Sequence, residues 1–221
     1  MRDSVLSNKE EYLSSLFLED NENKKLSRQF AEELGLARIS VSPAEASLIS
    51  LLVKMQGCRK FVEIGTLTGL SAQYIFDALP DGGELWTLEK DLRHSEKSAQ
   101  VFSKLDQSKK KIHLVVGDAR MELEKLSAQG PFDGIFIDGN KAAYMDYLLW
   151  AEKNLRSGGL VIADNIFLSG SVWGDKTQQK FSEKQIQILR DFNVRLSNPA
   201  LYQSAIAPTT EGLFIAKYLP R

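Results

Sequence analysis

From Lys60 onward the chain alternates between short apolar runs and helical patterns, and few folds accommodate that order. Strands are expected at 60–64, 84–89, 112–117, 132–138 and 159–164, with helices between them at 69–79, 92–105, 119–128 and 142–155. Strands separated by helices join as a parallel sheet with right-handed crossovers and helices on both faces. Gly134-Ile135-Phe136-Ile137 and Leu160-Val161-Ile162-Ala163 lack polar alternation, as strands buried on both sides do. A helix is expected at 180–192, and then Tyr202 to Ala207 and Leu213 to Tyr218 form a closing antiparallel hairpin around Pro208-Thr209-Thr210-Glu211-Gly212. No internal repeat is present. The fold class is α/β.

Residues 1–57 read as helices. Ser7-Asn8-Lys9-Glu10 has the form of a capping box, followed by an apolar stripe of Tyr12, Leu13, Leu16 and Phe17. A polar stretch from Glu19 to Lys25 separates this helix from a second one through Phe30 and Leu34, which Gly35 ends. Ser42-Pro43-Ala44-Glu45 is a stronger start signal, with an N-cap serine, proline at the first helical position and glutamate at the third. The helix it opens carries Leu48, Ile49, Leu51 and Leu52. With no low-complexity linker, the 221 residues are expected to form one domain, the helices of 1–57 packed on a core of 58–221.

A hydrophobic content of 43% with 26% charged residues belongs to a globular chain rather than a disordered one. A net charge of −1 argues against nucleic acid or an anionic membrane as partner. Lys109-Lys110-Lys111, the one basic run, reads as a solvated helix-to-strand connection. Cys58 is the single cysteine, so no internal disulfide can form, and its place before a buried strand suits packing better than catalysis. Charged residues follow Met1-Arg2-Asp3-Ser4 where a secretory signal would be apolar, and no run has the length of a membrane span. The expected location is the cytoplasm.

The chemistry concentrates at strand ends. Phe61-Val62-Glu63-Ile64-Gly65-Thr66-Leu67-Thr68-Gly69-Leu70-Ser71 reads as strand, tight turn and helix start with the spacing E-x-G-x-x-x-G, not the G-x-G-x-x-G of a nicotinamide enzyme. Glu63 would repel a phosphate and suits a ligand bearing positive charge or hydroxyls. Glu63, Glu89, Asp118, Asp138 and Asp164 each end or closely follow a strand. One such acid is ordinarily an N-cap, but five in series line the sheet edge where ligands bind. Glu89, about 20 residues past the glycine turn, is placed for ribose hydroxyls. Gly117-Asp118-Ala119 could reach the base, so an adenosine-containing ligand is favoured. Asp138, Asp164 and Asn165 are hard oxygen donors suited to Mg²⁺, Ca²⁺ or Mn²⁺, with capping as the competing explanation. Lys141, in the first turn of a helix, opposes the helix dipole and so suggests another use, although exposed lysines there are common. His94 and His113 lack a nucleophile motif nearby, Trp86 and Trp150 suit the core, and Trp173 could either close over a planar substrate or pack.

These residues resemble a family, the cation-dependent O-methyltransferases that use S-adenosylmethionine, typified by caffeoyl-CoA and catechol O-methyltransferases. Three blocks carry the resemblance: 61–71; Phe132-Asp133-Gly134-Ile135-Phe136-Ile137-Asp138-Gly139-Asn140-Lys141 with Tyr144 and Tyr147; and Gly158-Gly159-Leu160-Val161-Ile162-Ala163-Asp164-Asn165 with Gly170-Ser171-Val172. The resemblance implies a Rossmann-like fold of seven strands, mostly parallel, with the last strand antiparallel. It implies that Glu63, Gly65, Gly69 and Ser71 hold the methionyl part of S-adenosylmethionine, Glu89 the ribose, and Asp118 and Ala119 the adenine, with Val41 bordering the cofactor and Thr66 and Asp138 also binding it. It implies a divalent cation, foremost Mg²⁺, on Asp138, Asp164 and Asn165, with Lys141 and Asp138 catalytic, a small phenolic acceptor and a homodimer. Where the family often has D-A-D-K this chain has Asp138-Gly139-Asn140-Lys141, and Leu70 replaces a frequent tyrosine. The competing readings are a methyltransferase with another acceptor, such as tRNA or a different small molecule, a nicotinamide oxidoreductase, and a non-enzymatic binding module.

Overall fold

A computed structural model describes residues 8–17, 21–37, 39–175 and 180–219. Within these, helices α1 (Asn8–Phe17), α2 (Glu22–Glu33) and α3 (Pro43–Gln56) precede β1 (Lys60–Ile64). Then come α4 (Leu70–Ala78), β2 (Glu84–Glu89), α5 (Leu92–Phe102), β3 (Lys111–Val116), α6 (Ala119–Leu126), β4 (Phe132–Ile137), α7 (Tyr144–Asn154), β5 (Leu155–Ala163), α8 (Glu183–Leu196), β6 (Tyr202–Ala207) and β7 (Leu213–Tyr218). The strands form a seven-stranded sheet in the order β3-β2-β1-β4-β5-β7-β6. β1 pairs parallel with β4, β4 with β5, and β2 with β3, whereas β7 runs antiparallel to both β5 and β6. The expected antiparallel last strand and its hairpin are both present. Strand order reverses between β1 and β4, the kind of switch at which open α/β sheets bind ligands beyond the carboxyl ends.

Two compact units share the chain. Unit 1 comprises residues 1–59 and 66–117. There α3 packs on α4, and α2 on α4 and α5. Ile49, Val53, Ile75, Leu85 and Leu88 are buried. The serine–proline signal works as read: Ser42 caps α3 in a full capping box with Glu45, and Gly57 closes the helix at φ +66°. Unit 2 comprises residues 60–65 and 118–221. Its core is β1, β4 and β5, where Phe61, Val62, Ile135, Phe136, Ile137, Ile162 and Ala163 are buried, as the unbroken apolar runs require.

Several boundaries differ from the sequence expectation, each for a local reason. α2 starts at Glu22, inside the stretch read as a polar separator, because Asn21 caps it by accepting from Lys24 N at 2.8 Å. Lys24 is buried there, paired with Asp77 at 2.9 Å and lying 4.1 Å from the Tyr74 ring centroid. The expected helix at 142–155 divides into a 3₁₀ turn, Lys141–Ala143, and α7. β5 starts at Leu155, not 159, because Gly158 at φ +71° lets the strand absorb a register shift instead of stopping. α8 covers 183–196, displaced from the expected 180–192 by a capping box of Ser182 with Gln185. Lys110 is not simply solvated. Its ammonium donates to the carbonyls of Phe76 (2.8 Å) and Asp77 (3.0 Å) at the end of α4, where a cation meets the negative end of the helix dipole, and burial lowers its pKa. The capping box expected at Ser7 lies outside the described residues.

Candidate active site

In unit 2, β1, β4 and β5 end side by side. Asp138 N donates to Ile64 O (2.9 Å), and Asp164 N donates to Ile137 O (3.1 Å), so the first residues past β4 and β5 are neighbours. Gly65 leaves β1 at φ +104°, and a side-chain carbon there would overlap the Asp138 carbonyl. Only glycine lets the chain pass so close in that conformation.

Past β4, Asn140 Oδ1 accepts from Ala142 N at 3.1 Å and caps the 3₁₀ turn. A 3₁₀ turn has three residues per turn, so side chains three apart lie one above another. That spacing stacks Tyr144 on Lys141, and Asp138, just ahead of the turn, completes the group. Lys141 Nζ sits 3.0 Å from Asp138 Oδ1 and donates to Tyr144 Oη at 2.5 Å. Tyr144 is fully buried, and its hydroxyl donates to the carbonyl of Asp164 (2.9 Å), with Ile137 O at 3.3 Å. Its ring meets Phe192 edge-on at 5.3 Å. Burial, reinforced by the charges of Asp138 and Asp164, holds the Tyr144 pKa well above the usual tyrosine value, so the hydroxyl keeps its proton. Lys141 is thus linked through one phenol to the end of the next strand.

Asp164 is 2% exposed, and its Oδ1 accepts from Asn165 N at 2.7 Å. Asn165 takes φ +56°, a left-handed conformation that asparagine tolerates better than most residues. Two carboxylates and an amide therefore stand at adjacent strand ends, a donor set of the hard-oxygen kind. Among the described residues no group of three or more His, Cys, Asp and Glu side chains gathers. Asp118 caps α6 by accepting from Arg120 N at 3.0 Å and pairs with that guanidinium at 3.0 Å. Ala119 follows it, buried in the first turn. Tyr147 has its pKa pushed up to about 12, by burial first and then by the charge of Asp118. Glu63 is fully buried within β1, paired in register with Phe136.

Unit 1 carries the remaining candidates. Thr66 Oγ1 is hydrogen-bonded to Thr87 Oγ1 at 2.6 Å, and Gly69 caps α4 at φ +84° with the Phe102 ring where a side-chain carbon would stand. Ser71 lies buried in the first turn of α4, and Val41 is buried just before the cap of α3. Glu89, at the end of β2, accepts from Leu67 N through Oε2 and from Asp91 N through Oε1, both at 2.9 Å. Its carboxylate therefore ties the glycine turn to the loop after β2. Trp86 stacks on His113 (4.9 Å, 18°) and Trp150 Nε1 donates to Ser127 Oγ (2.9 Å). In unit 2, Trp173 is 64% exposed and meets the Phe167 ring edge-on at 5.2 Å.

Two residues in unit 2 gained no role from the sequence. Tyr144 is the polar hub just described, and its place three residues after Lys141 was the available signal. Glu211 was read only as part of a hairpin turn, yet its 7% exposed carboxylate accepts from Ser169 N (2.8 Å) and Ser169 Oγ (2.9 Å). No local pattern could have foretold a contact across 42 residues.

The chain resembles known proteins over most of its length. Residues 14–219 match the O-methyltransferase family model. The chain is 30% identical over 198 residues to a catechol O-methyltransferase of Niastella koreensis, covering 89% of this chain and 87% of that one. It is 30% identical over 161 residues to a catechol O-methyltransferase of Mycobacterium tuberculosis, covering 73% and 72%. The crystal structure of the O-methyltransferase TomG from Streptomyces achromogenes, in complex with SAM, superposes with a TM-score of 0.84 at 28% identity over 97% of each chain. With a family match over nearly its whole length and strand-end acids on a seven-stranded sheet closed by an antiparallel hairpin, the chain belongs to the O-methyltransferase family and is an S-adenosylmethionine-dependent enzyme.

Proposed function

We propose that this enzyme methylates one hydroxyl of a catechol-type small molecule with the help of a divalent cation. The observation that carries the reading is the Asp138–Lys141–Tyr144–Asp164 chain of contacts at the ends of β4 and β5. Asp138, Asp164 and Asn165 would hold the cation, Mg²⁺ in the first instance, since two carboxylates and an amide oxygen are hard donors. A bound cation would lower the pKa of a coordinated hydroxyl, and the cofactor would supply the methyl group. Lys141 Nζ, in its uncharged amine form, would take the proton that the acceptor hydroxyl releases. Asp138 Oδ1 and Tyr144 Oη hold the lysine head in place for that transfer, and most of the acceleration comes from alignment.

Glu63, Gly65, Gly69 and Ser71 are assigned to the methionyl part of the cofactor, Glu89 to the ribose, Asp118 and Ala119 to the adenine and Val41 to its border, with Thr66 and Asp138 as further cofactor-binding residues. The Glu89 carboxylate supports its part: each oxygen accepts one backbone N–H, and Oε2 has room for a second donor, while His94 Nδ1 lies 3.6 Å from Oε1. A single domain, a homodimer and a cytoplasmic location are the further readings. Exposed Tyr12, Leu16, Leu51 and Met55 on α1 and α3 support self-association, which sedimentation would measure. Among the described residues no helix is long and apolar enough to cross a membrane, and Cys58 is buried.

The deciding experiment is methyl transfer from S-adenosylmethionine to a panel of catechols with Mg²⁺ and with a chelator, the products read by mass spectrometry. Methylated catechol that disappears on chelation, together with loss of turnover in Lys141→Ala and Asp138→Ala, is the expected result. Activity that survives chelation would return Asp138, Asp164 and Asn165 to structural roles.

A further inference from the structure

The stretch that follows Asp164 is held in a conformation its sequence disfavours. Asn165, Leu168 and Ser169 have φ of +56°, +47° and +51°, and Gly170 follows at +86°. For a leucine this is a genuine outlier, and such a residue persists only where its surroundings over-determine it. The turn between β6 and β7 supplies much of that constraint. Ile166 N donates to Gly212 O (3.4 Å) and Phe167 N to Glu211 O (3.0 Å). A side-chain carbon at Gly212 would come within 2.8 Å of both Ile166 and Phe167. The Glu211 carboxylate takes Ser169 N on one oxygen and Ser169 Oγ on the other. From α8, Asn193 Nδ2 donates to Ile166 O (3.0 Å) and Arg190 Nε to Val172 O (2.9 Å).

A buried carboxylate is a costly way to build a hairpin turn, because burial disfavours the charge unless hydrogen bonds answer it. Here both answering donors belong to one residue of the loop that runs from Asn165 to exposed Trp173. We propose that Glu211 is a positioning residue for the methyl acceptor: its carboxylate sets the 165–170 turn, and through it decides which of two neighbouring hydroxyls is presented for methylation. The proposal rests on the catechol reading above, and its effect is on product choice rather than on the proton transfer itself.

The test pairs two readouts on Glu211→Ala and Glu211→Gln. The first is amide hydrogen exchange over residues 166–170, which needs no substrate. The second is the ratio of the two monomethyl products from an unsymmetrical catechol, which does not depend on how much of the enzyme is folded. Glu211→Ala is expected to speed exchange in 166–170 alone and to change the product ratio by at least about threefold, with the KM for the catechol raised by about tenfold and cofactor affinity kept. Glu211→Gln is expected to restore both readouts, since an amide can accept from Ser169 N and donate to Ser169 Oγ. Unchanged exchange overturns the clamp, and faster exchange with an unchanged ratio overturns its role in acceptor choice. A wild-type enzyme that methylates no catechol would refute the preceding reading instead, and exchange would then decide the clamp by itself.

Discussion

Tyr144→Phe removes a single oxygen from the middle of the site and leaves the ring in place. Phenylalanine keeps the edge contact with Phe192 at 5.3 Å, so the packing loss is small. What disappears is the acceptor for Lys141 Nζ and the donor to Asp164 O, both in a fully buried position. A buried acceptor left without its donor costs about 1–3 kcal/mol, which in a chain of this size lowers Tm by roughly 2–12 °C. The larger effect falls on catalysis. Without the phenol, Lys141 retains Asp138 as its anchor but loses its second fixed contact, and a misplacement of about 1 Å costs up to about 100-fold in rate. Steady-state kinetics with a catechol acceptor should show kcat reduced by about 10- to 100-fold, while calorimetric titration finds cofactor affinity within about twofold of wild type. Wild-type kcat in Tyr144→Phe would refute the claim that the phenol positions the lysine. A parallel loss of cofactor affinity would point to a general disturbance of the strand ends.

Two further outcomes test the physical account. Gly65→Ala places a methyl group on the Asp138 carbonyl at φ +104°, whereas Gly35→Ala at φ +69° meets nothing within 4 Å; the first should cost about 3 kcal/mol or more and the second about 1 kcal/mol, and equal shifts in thermal melting would discredit the overlap. On α7, burial tends to raise the Glu152 pKa, but the hydrogen bonds from Arg195 and Tyr202 outweigh it and leave the group below its ordinary 4.5. A depressed carboxylate stabilises the fold fully above its unfolded pKa and loses that contribution as pH falls through the folded one. The Tm gap between wild type and Glu152→Gln should therefore be constant at neutral pH and narrow below pH 4.5, and a gap that widens on acidification would contradict the sign.

Much of the architecture was legible because it rests on short-range rules. The apolar runs of β1, β4 and β5, the Ser42-Pro43 start of α3 and the hairpin of β6 and β7 each follow from periodicity or local backbone chemistry. The strand-end acids were equally visible, since a sheet edge collects whatever ends its strands. Boundaries failed where a side chain from elsewhere in the sequence, or one flexible glycine, changed the local balance: Gly158 extends β5, and Lys24, written as a separator, is buried against Asp77 and Tyr74. The sequence by itself determined the class of fold, the candidate acids and the lysine. Tertiary structure decided how those groups are held: the Tyr144 phenol joining Lys141 to the end of β5, and Glu211 clasping Ser169 from a turn 42 residues away. Both depend on hydrogen bonds between groups distant along the chain, and such partners are chosen only when the sheet has brought its strand ends together.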